Sequence, residues 1–132
     1  MSIRVGTDIV YIPRIQALVT RFGNRFLQRV YTPNEQQSCG LSNEITRMAI
    51  NKLAGRWAAK EAVVKALGTG WRGISYTDVE ICRHPKGVPF VVLHNNALEI
   101  VAKWELDNYC QLSLSHDGDY ATATAIFVAP GT

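Results

Sequence analysis

The sequence predicts an α+β fold in which an antiparallel sheet packs against one long helix. Two observations carry this. The order of elements is strand, helices, hairpin, helix, hairpin, which differs from the repeated strand–helix unit of a doubly wound sheet. The stretch from about Ser42 to Leu67 is rich in helix formers, holds no proline and has one interior glycine, Gly55, so it forms the helix on which the sheet rests.

The elements follow in order. Residues 3–10, IRVGTDIV, alternate loosely and are rich in β-branched types, which predicts a strand. Pro13 suits the first turn of a helix. Ile15, Leu18, Val19 and Phe22 then recur at spacings of three and four, giving a short amphipathic helix with Arg14 and Arg21 on its other positions. Gly23-Asn24 ends it, and Arg25 to Arg29 continue a basic, partly apolar segment. Thr32-Pro33-Asn34-Glu35 has the form of a capping box.

On the long helix, Ile45, Ala49, Leu53, Trp57 and Val64 mark much of the apolar side, and Gly68 is placed to end it. Gly55 costs about 1 kcal/mol against alanine in a helix. Either close packing on another backbone offsets that cost, or the glycine is a tolerated defect. Val79 and Ile81 face Val88, Phe90 and Val92 across Pro85-Lys86-Gly87, a hairpin pattern. Asn96 to Tyr109 is expected to be a helix burying Leu98, Val101, Ala102 and Leu106. Leu112 to His116 and Tyr120 to Val128 alternate around the turn Asp117-Gly118-Asp119. No repeat, linker or low-complexity tract divides the chain, so residues 1–132 are expected to form a single domain.

Composition narrows the class. The 132 residues are 47% hydrophobic and 19% charged, as in ordinary globular proteins. The first residues lack a secretory pattern, and no apolar run is long enough to span a bilayer. Cys39, Cys82 and Cys110 are odd in number and widely spaced, which points to free thiols and a cytoplasmic location rather than a disulfide framework. The net charge of +3 divides unevenly, to +6 over residues 1–65 and −3 over residues 66–132. A basic half steers anionic partners. The cations are mixed with apolar residues at helical spacing, without any nucleic-acid-binding motif. An acidic protein or a phosphorylated small molecule therefore fits, and neither nucleic-acid binding nor membrane insertion is expected.

Three places could carry chemistry. Asp8 interrupts an otherwise apolar strand; it is either a solvent-facing aspartate or a ligand. Glu61 and Lys65 are four apart on the long helix and share a face. They are either a surface ion pair or part of a site. Were Asp8 and Glu61 to approach, their like charges would call for a cation, and two carboxylates with open positions suit Mg²⁺ bridged to phosphates. Arg56, Lys60 or Lys65 could then bind those phosphates. His116 ends a strand before a turn, and its neighbour Ser115 points to the opposite face, so the two form no nucleophilic dyad.

The segments VGTDIVYIPRI (5–15), FLQRVYTPNE (26–35), LAGRWAAKEAVVKALGTG (53–70), DVEI (78–81), GVP (87–89) and LSLSH followed by YATATAI (112–126) resemble the holo-[acyl-carrier-protein] synthase family, the short, single-domain type of 4'-phosphopantetheinyl transferase. The resemblance covers nearly the whole chain, and its most specific part is the central GRWAAKEAVVKALGTG run. It implies the 4'-phosphopantetheinyl transferase fold and an Mg²⁺-dependent activity in lipid metabolism. The 4'-phosphopantetheine of coenzyme A would pass to a serine of an acidic acyl carrier protein, releasing adenosine 3',5'-bisphosphate.

By the same resemblance, Asp8 and Glu61 correspond to the Mg²⁺ ligands and Lys65 to the lysine beside the pyrophosphate. Arg56 and His116 correspond to residues that bind the coenzyme's phosphates. Arg14, Arg21 and Arg25 fall on the basic surface that faces the carrier protein. Thr7, Trp57, Val88 and Asp117 depart from the family's usual residues without removing a proposed ligand.

The resemblance also implies a homotrimer with coenzyme pockets at subunit boundaries. Independently, Tyr120–Val128 has two moderately apolar faces, Ala121, Ala123, Ala125 and Phe127 on one and Tyr120, Thr122, Thr124 and Ile126 on the other. That suits a strand covered on both sides, either by a neighbouring chain or by helices of the same one. Two other classes compete with the transferase: a carrier-binding module without turnover, and a metal-dependent phosphate hydrolase.

Overall fold

A computed structural model describes residues 2–42, 44–104 and 110–129. Strand β1 (Ser2–Tyr11) leads directly into helix α1 (Ile12–Phe22), followed by α2 (Asn24–Val30) and α3 (Pro33–Ser38). Helix α4 (Arg47–Leu67) crosses the molecule. Strands β2 (Val79–Arg83) and β3 (Pro89–Leu93), helix α5 (Asn95–Ala102) and strands β4 (Cys110–Asp117) and β5 (Tyr120–Ala129) complete the order. This is the α+β arrangement that the sequence predicts, with every strand pairing antiparallel.

The strands form two sheets rather than one. β5 lies between β1 and β4, whereas β2 and β3 pair only with each other. Buried side chains take the place of a further strand on β2. The Lys60 ammonium donates to the Val79 carbonyl at 2.6 Å, and the Ile81 N–H donates to the Glu35 carboxylate at 3.0 Å. With those backbone groups already satisfied, β2 has little left to offer another strand.

Several boundaries move from the expected ones. α4 begins at Arg47 rather than near Ser42, because the Thr46 hydroxyl caps it by accepting from Ala49 N–H at 3.1 Å. Ile45 therefore precedes the helix. α4 is buried on nearly all sides, with Ala54, Ala58, Ala59, Ala62 and Val63 sealed from solvent, so a single apolar stripe understates it. The Arg25–Arg29 segment is a helix in its own right. α5 stops at Ala102, buries Ala97 and Val101 and leaves Leu98 exposed. Of the longer expected helix, Leu106 lies outside the described residues. The capping box at Thr32 and Glu35 and the left-handed Gly68 that closes α4 are both present.

The glycine that packs closely is Gly6, not Gly55. A Cβ on Gly6 would lie 1.9 Å from the Ala62 carbonyl oxygen, whereas one on Gly55 would first meet Leu114 at 3.8 Å. β1 thus lies directly on α4, and no other residue fits at Gly6 without moving one of the two. That contact sets the height of Asp8, two residues along the strand on the same face.

Candidate active site

Asp8 stands opposite Ala123 of β5, on the face that looks at α4. Its Oδ1 accepts from the Lys65 ammonium at 3.1 Å, and the same ammonium donates to the Thr7 carbonyl at 2.9 Å. Lys65 is half-exposed and the Asp8 side chain largely covered, so the pair sits at the rim of the sheet–helix contact. Glu61 lies one turn earlier on α4 and faces the same way. Its two oxygens accept from different donors: Oε2 from the Trp71 indole N–H at 3.3 Å and Oε1 from the Tyr76 hydroxyl at 3.5 Å. Asp8 and Lys65 are thus in contact across strand and helix, while Glu61, one turn before Lys65, is held by residues of the segment after the helix.

Those carboxylates fit a magnesium ion by their chemistry. They are hard oxygen donors, and Asp8 sits at a partly open rim of the sheet–helix contact. A two-carboxylate set suits a cation that keeps waters and takes phosphate oxygens as its remaining ligands.

Arg56 and His116 meet elsewhere. They line a cleft of about 530 Å³ together with Arg47, Asn51, Lys52 and Arg83, and among the described residues none of its lining is acidic. His116 lies in the strand row of Ala121 and Val10, on the helix-facing side. Arg56 is buried, its Nη2 donating to Ser38 Oγ at 2.8 Å. The Arg56 Nε and the Asn51 Oδ1 are buried without a hydrogen-bond partner among the described residues. The cleft's cations make it electrostatically suited to an anion. Asp8, Glu61 and Lys65 do not line this cleft.

Lys60 is not a phosphate ligand. Its ammonium is sealed from solvent and donates to Glu35 at 2.8 Å, to the Tyr76 carbonyl at 2.9 Å and to the Val79 carbonyl at 2.6 Å. Burial lowers its pKa, opposed by the charge and hydrogen bond of Glu35. A continuous aromatic stack lies beside it: Phe26 on Trp57, Trp57 on Tyr76, and Trp71 against Tyr76, with ring centroids 5.8, 5.2 and 4.1 Å apart. Arg14, Arg21 and Arg25 are exposed on α1 and α2. The charges of Arg29 and Arg14 reach the Tyr76 phenol, whose hydroxyl donates to Glu61.

The model of the 4'-phosphopantetheinyl transferase superfamily matches residues 4–125. The chain belongs to that family. It is 50% identical over 121 residues to the holo-[acyl-carrier-protein] synthase of Gloeobacter violaceus, covering 92% of this chain and 89% of that one. Among solved structures it resembles the ACPS–CoA complex of Chronobacterium ammoniagenes, with a TM-score of 0.82 and 30% identity over 99% of this chain and 100% of that one. It also resembles the Helicobacter pylori holo-[acyl-carrier-protein] synthase in complex with coenzyme A, with a TM-score of 0.79 and 32% identity over 94% and 99%. The family expected from the sequence motifs is therefore established, and with it a transferase activity.

Sequence reasoning missed six contributors. Asn51, Lys52 and Arg47 reach the cleft from α4, and their spacing against Arg56 and Gly55 was available as a helical row. Arg83 and the Trp71–Tyr76 pair carried no such signal, because they arrive from loops and a strand end whose positions depend on tertiary packing.

Proposed function

We propose that the chain, acting over residues 1–132 as one domain, transfers 4'-phosphopantetheine from coenzyme A to a serine hydroxyl of an apo acyl carrier protein. The products are the holo carrier protein and adenosine 3',5'-bisphosphate. The observation that carries this reading is the Lys65–Asp8 contact at 3.1 Å with Glu61 one helical turn away, in a family whose solved relatives include coenzyme A complexes.

Asp8 and Glu61 would hold Mg²⁺, which when bound draws charge from the pyrophosphate and so makes it a better electrophile. Lys65, free to turn from Asp8 to a phosphate oxygen, neutralises charge that grows on the leaving bisphosphate. Arg56 and His116 bind the coenzyme's phosphates at the basic cleft that both line. Arg14, Arg21 and Arg25 receive the acidic carrier, which orients its serine for in-line attack.

The separation of the two clusters supports a homotrimer with shared sites. In a single chain the helix-remote face of the sheet leaves Ile3 70% and Ile9 64% exposed, with Val5, Tyr11, Tyr120 and Ile126 beside them, and a patch of that kind marks an interface. In the shared-site form of this reading, one chain's Asp8 cluster works with a neighbouring chain's basic cleft. Reassembling Asp8→Ala chains with His116→Ala chains should then recover activity that neither parent has; no recovery in confirmed mixed trimers contradicts the shared site. The activity itself is tested by following adenosine 3',5'-bisphosphate release chromatographically. Release that requires apo carrier supports transfer, release without carrier indicates a hydrolase, and carrier binding without release indicates a binding module.

A further inference from the structure

We propose that Trp71 and Tyr76 are positioning residues for Glu61, fixing the orientation in which its carboxylate meets a divalent cation. The inference rests on the metal reading of Asp8 and Glu61 given above. Each donor takes a different oxygen of the carboxylate, Trp71 Nε1 at 3.3 Å and Tyr76 Oη at 3.5 Å. A carboxylate oxygen has about two lone-pair sites, so each oxygen keeps one open. The bonds are long, and they orient the group more than they saturate it.

The donors are themselves held. The Tyr76 carbonyl is tied to the buried Lys60 ammonium at 2.9 Å, and its ring stacks on Trp57 at 5.2 Å with 29° between planes. Trp57 lies one turn before Glu61 on α4, so the helix that bears the carboxylate also braces its partner. Trp71 leans on the other side of Tyr76 at 4.1 Å. Trp71 and Tyr76 belong to the segment after Gly68, whose left-handed φ of 81° turns the chain back over α4. Asp8 is held separately by Lys65. The two carboxylates are thus contacted by different residues, Asp8 by Lys65 and Glu61 by Trp71 and Tyr76. Partners of this kind around a ligating carboxylate change metal affinity by about 10–100-fold.

The test uses Tyr76→Phe, which keeps the ring and removes only the hydroxyl, Trp71→Phe, which removes the indole N–H and leaves a smaller aromatic ring against Tyr76, and the double variant. Mn²⁺ binding is measured by electron paramagnetic resonance with coenzyme A present, alongside thermal melting and the Mg²⁺ dependence of transfer. The double variant is expected to bind Mn²⁺ about tenfold more weakly, to melt close to the parent, and to regain the parental kcat when Mg²⁺ is raised. Glu61→Gln is the control and should lose most Mn²⁺ binding. Parental Mn²⁺ affinity in both single variants and the double, with Glu61→Gln impaired, overturns the positioning role. Parental affinity in Glu61→Gln overturns the metal reading beneath it. Should the double variant fail to fold, Tyr76→Phe, which loses one hydroxyl, decides the matter by the same measurements.

Discussion

Lys65 Nζ lies 3.1 Å from Asp8 Oδ1, and this contact joins the strand bearing one carboxylate to the helix bearing the other. Glu61 is four residues before Lys65, so a shift of β1 against α4 would move Asp8 relative to both. The close approach of Gly6 to Ala62 prevents that shift.

Asp8→Ala and Glu61→Ala should each reduce transfer to below about a hundredth of the parent, because a hard cation with two protein ligands tolerates the loss of either poorly. The fold should survive. Lys65 is half-exposed, and such ion pairs contribute at most about 1 kcal/mol. Mg²⁺-dependent rates and circular dichroism check both points, and near-normal activity in either variant removes that residue from the site.

Charge reversal at Arg14 or Arg21 should raise the KM for carrier protein several-fold, more at low salt than at high, with little change for coenzyme A. Exposed charges act on a protein partner through long-range attraction that salt screens. Equal effects on both substrates would contradict the placement of the carrier on α1.

Lys60→Met should destabilise the fold by about 3–5 kcal/mol, since it strands the buried Glu35 carboxylate without its cation. Glu35 and Lys60 are both sealed from solvent. Urea unfolding measures the loss, and a change within 1 kcal/mol, on the order of a surface pair, would show that the buried network holds little of the fold.

Stability should fall in acid partly through Glu80. Burial alone would raise its pKa, but hydrogen bonds from Thr32 and His94 and the charges of His94 and Lys60 outweigh burial and hold it below the usual 4.5. A carboxyl depressed on folding contributes stability that is fully present above its unfolded value and is lost as pH falls through the folded one. The difference in unfolding free energy between the parent and Glu80→Gln should therefore be largest above about pH 4.5 and shrink below it. A difference independent of pH across that window would exclude the linkage.

The strands, the capping box at Thr32 and the Gly68 stop were legible because each depends on neighbours within a few residues. The contents of α4 were less so. Lys60 and Arg56 sit in a run of alanines and valines that is buried all round, and nothing local distinguishes a buried cation from an exposed one. What decides it is Glu35, 25 residues earlier, and the Val79 carbonyl, 19 later. Asp8 and Glu61 followed from the family resemblance, while the donors on Glu61 did not. Trp71 and Tyr76 reach it only because the segment after Gly68 folds back, with Tyr76 stacked on Trp57 and Trp71 packed on Tyr76.

The most direct measurement is the intact mass of an apo acyl carrier protein incubated with this chain, coenzyme A and Mg²⁺, followed by peptide mapping. The carrier should gain one phosphopantetheine on a single serine, and the gain should vanish with the Asp8→Ala chain. A carrier of unchanged mass after full incubation with folded protein would contradict the assignment as a carrier-protein transferase.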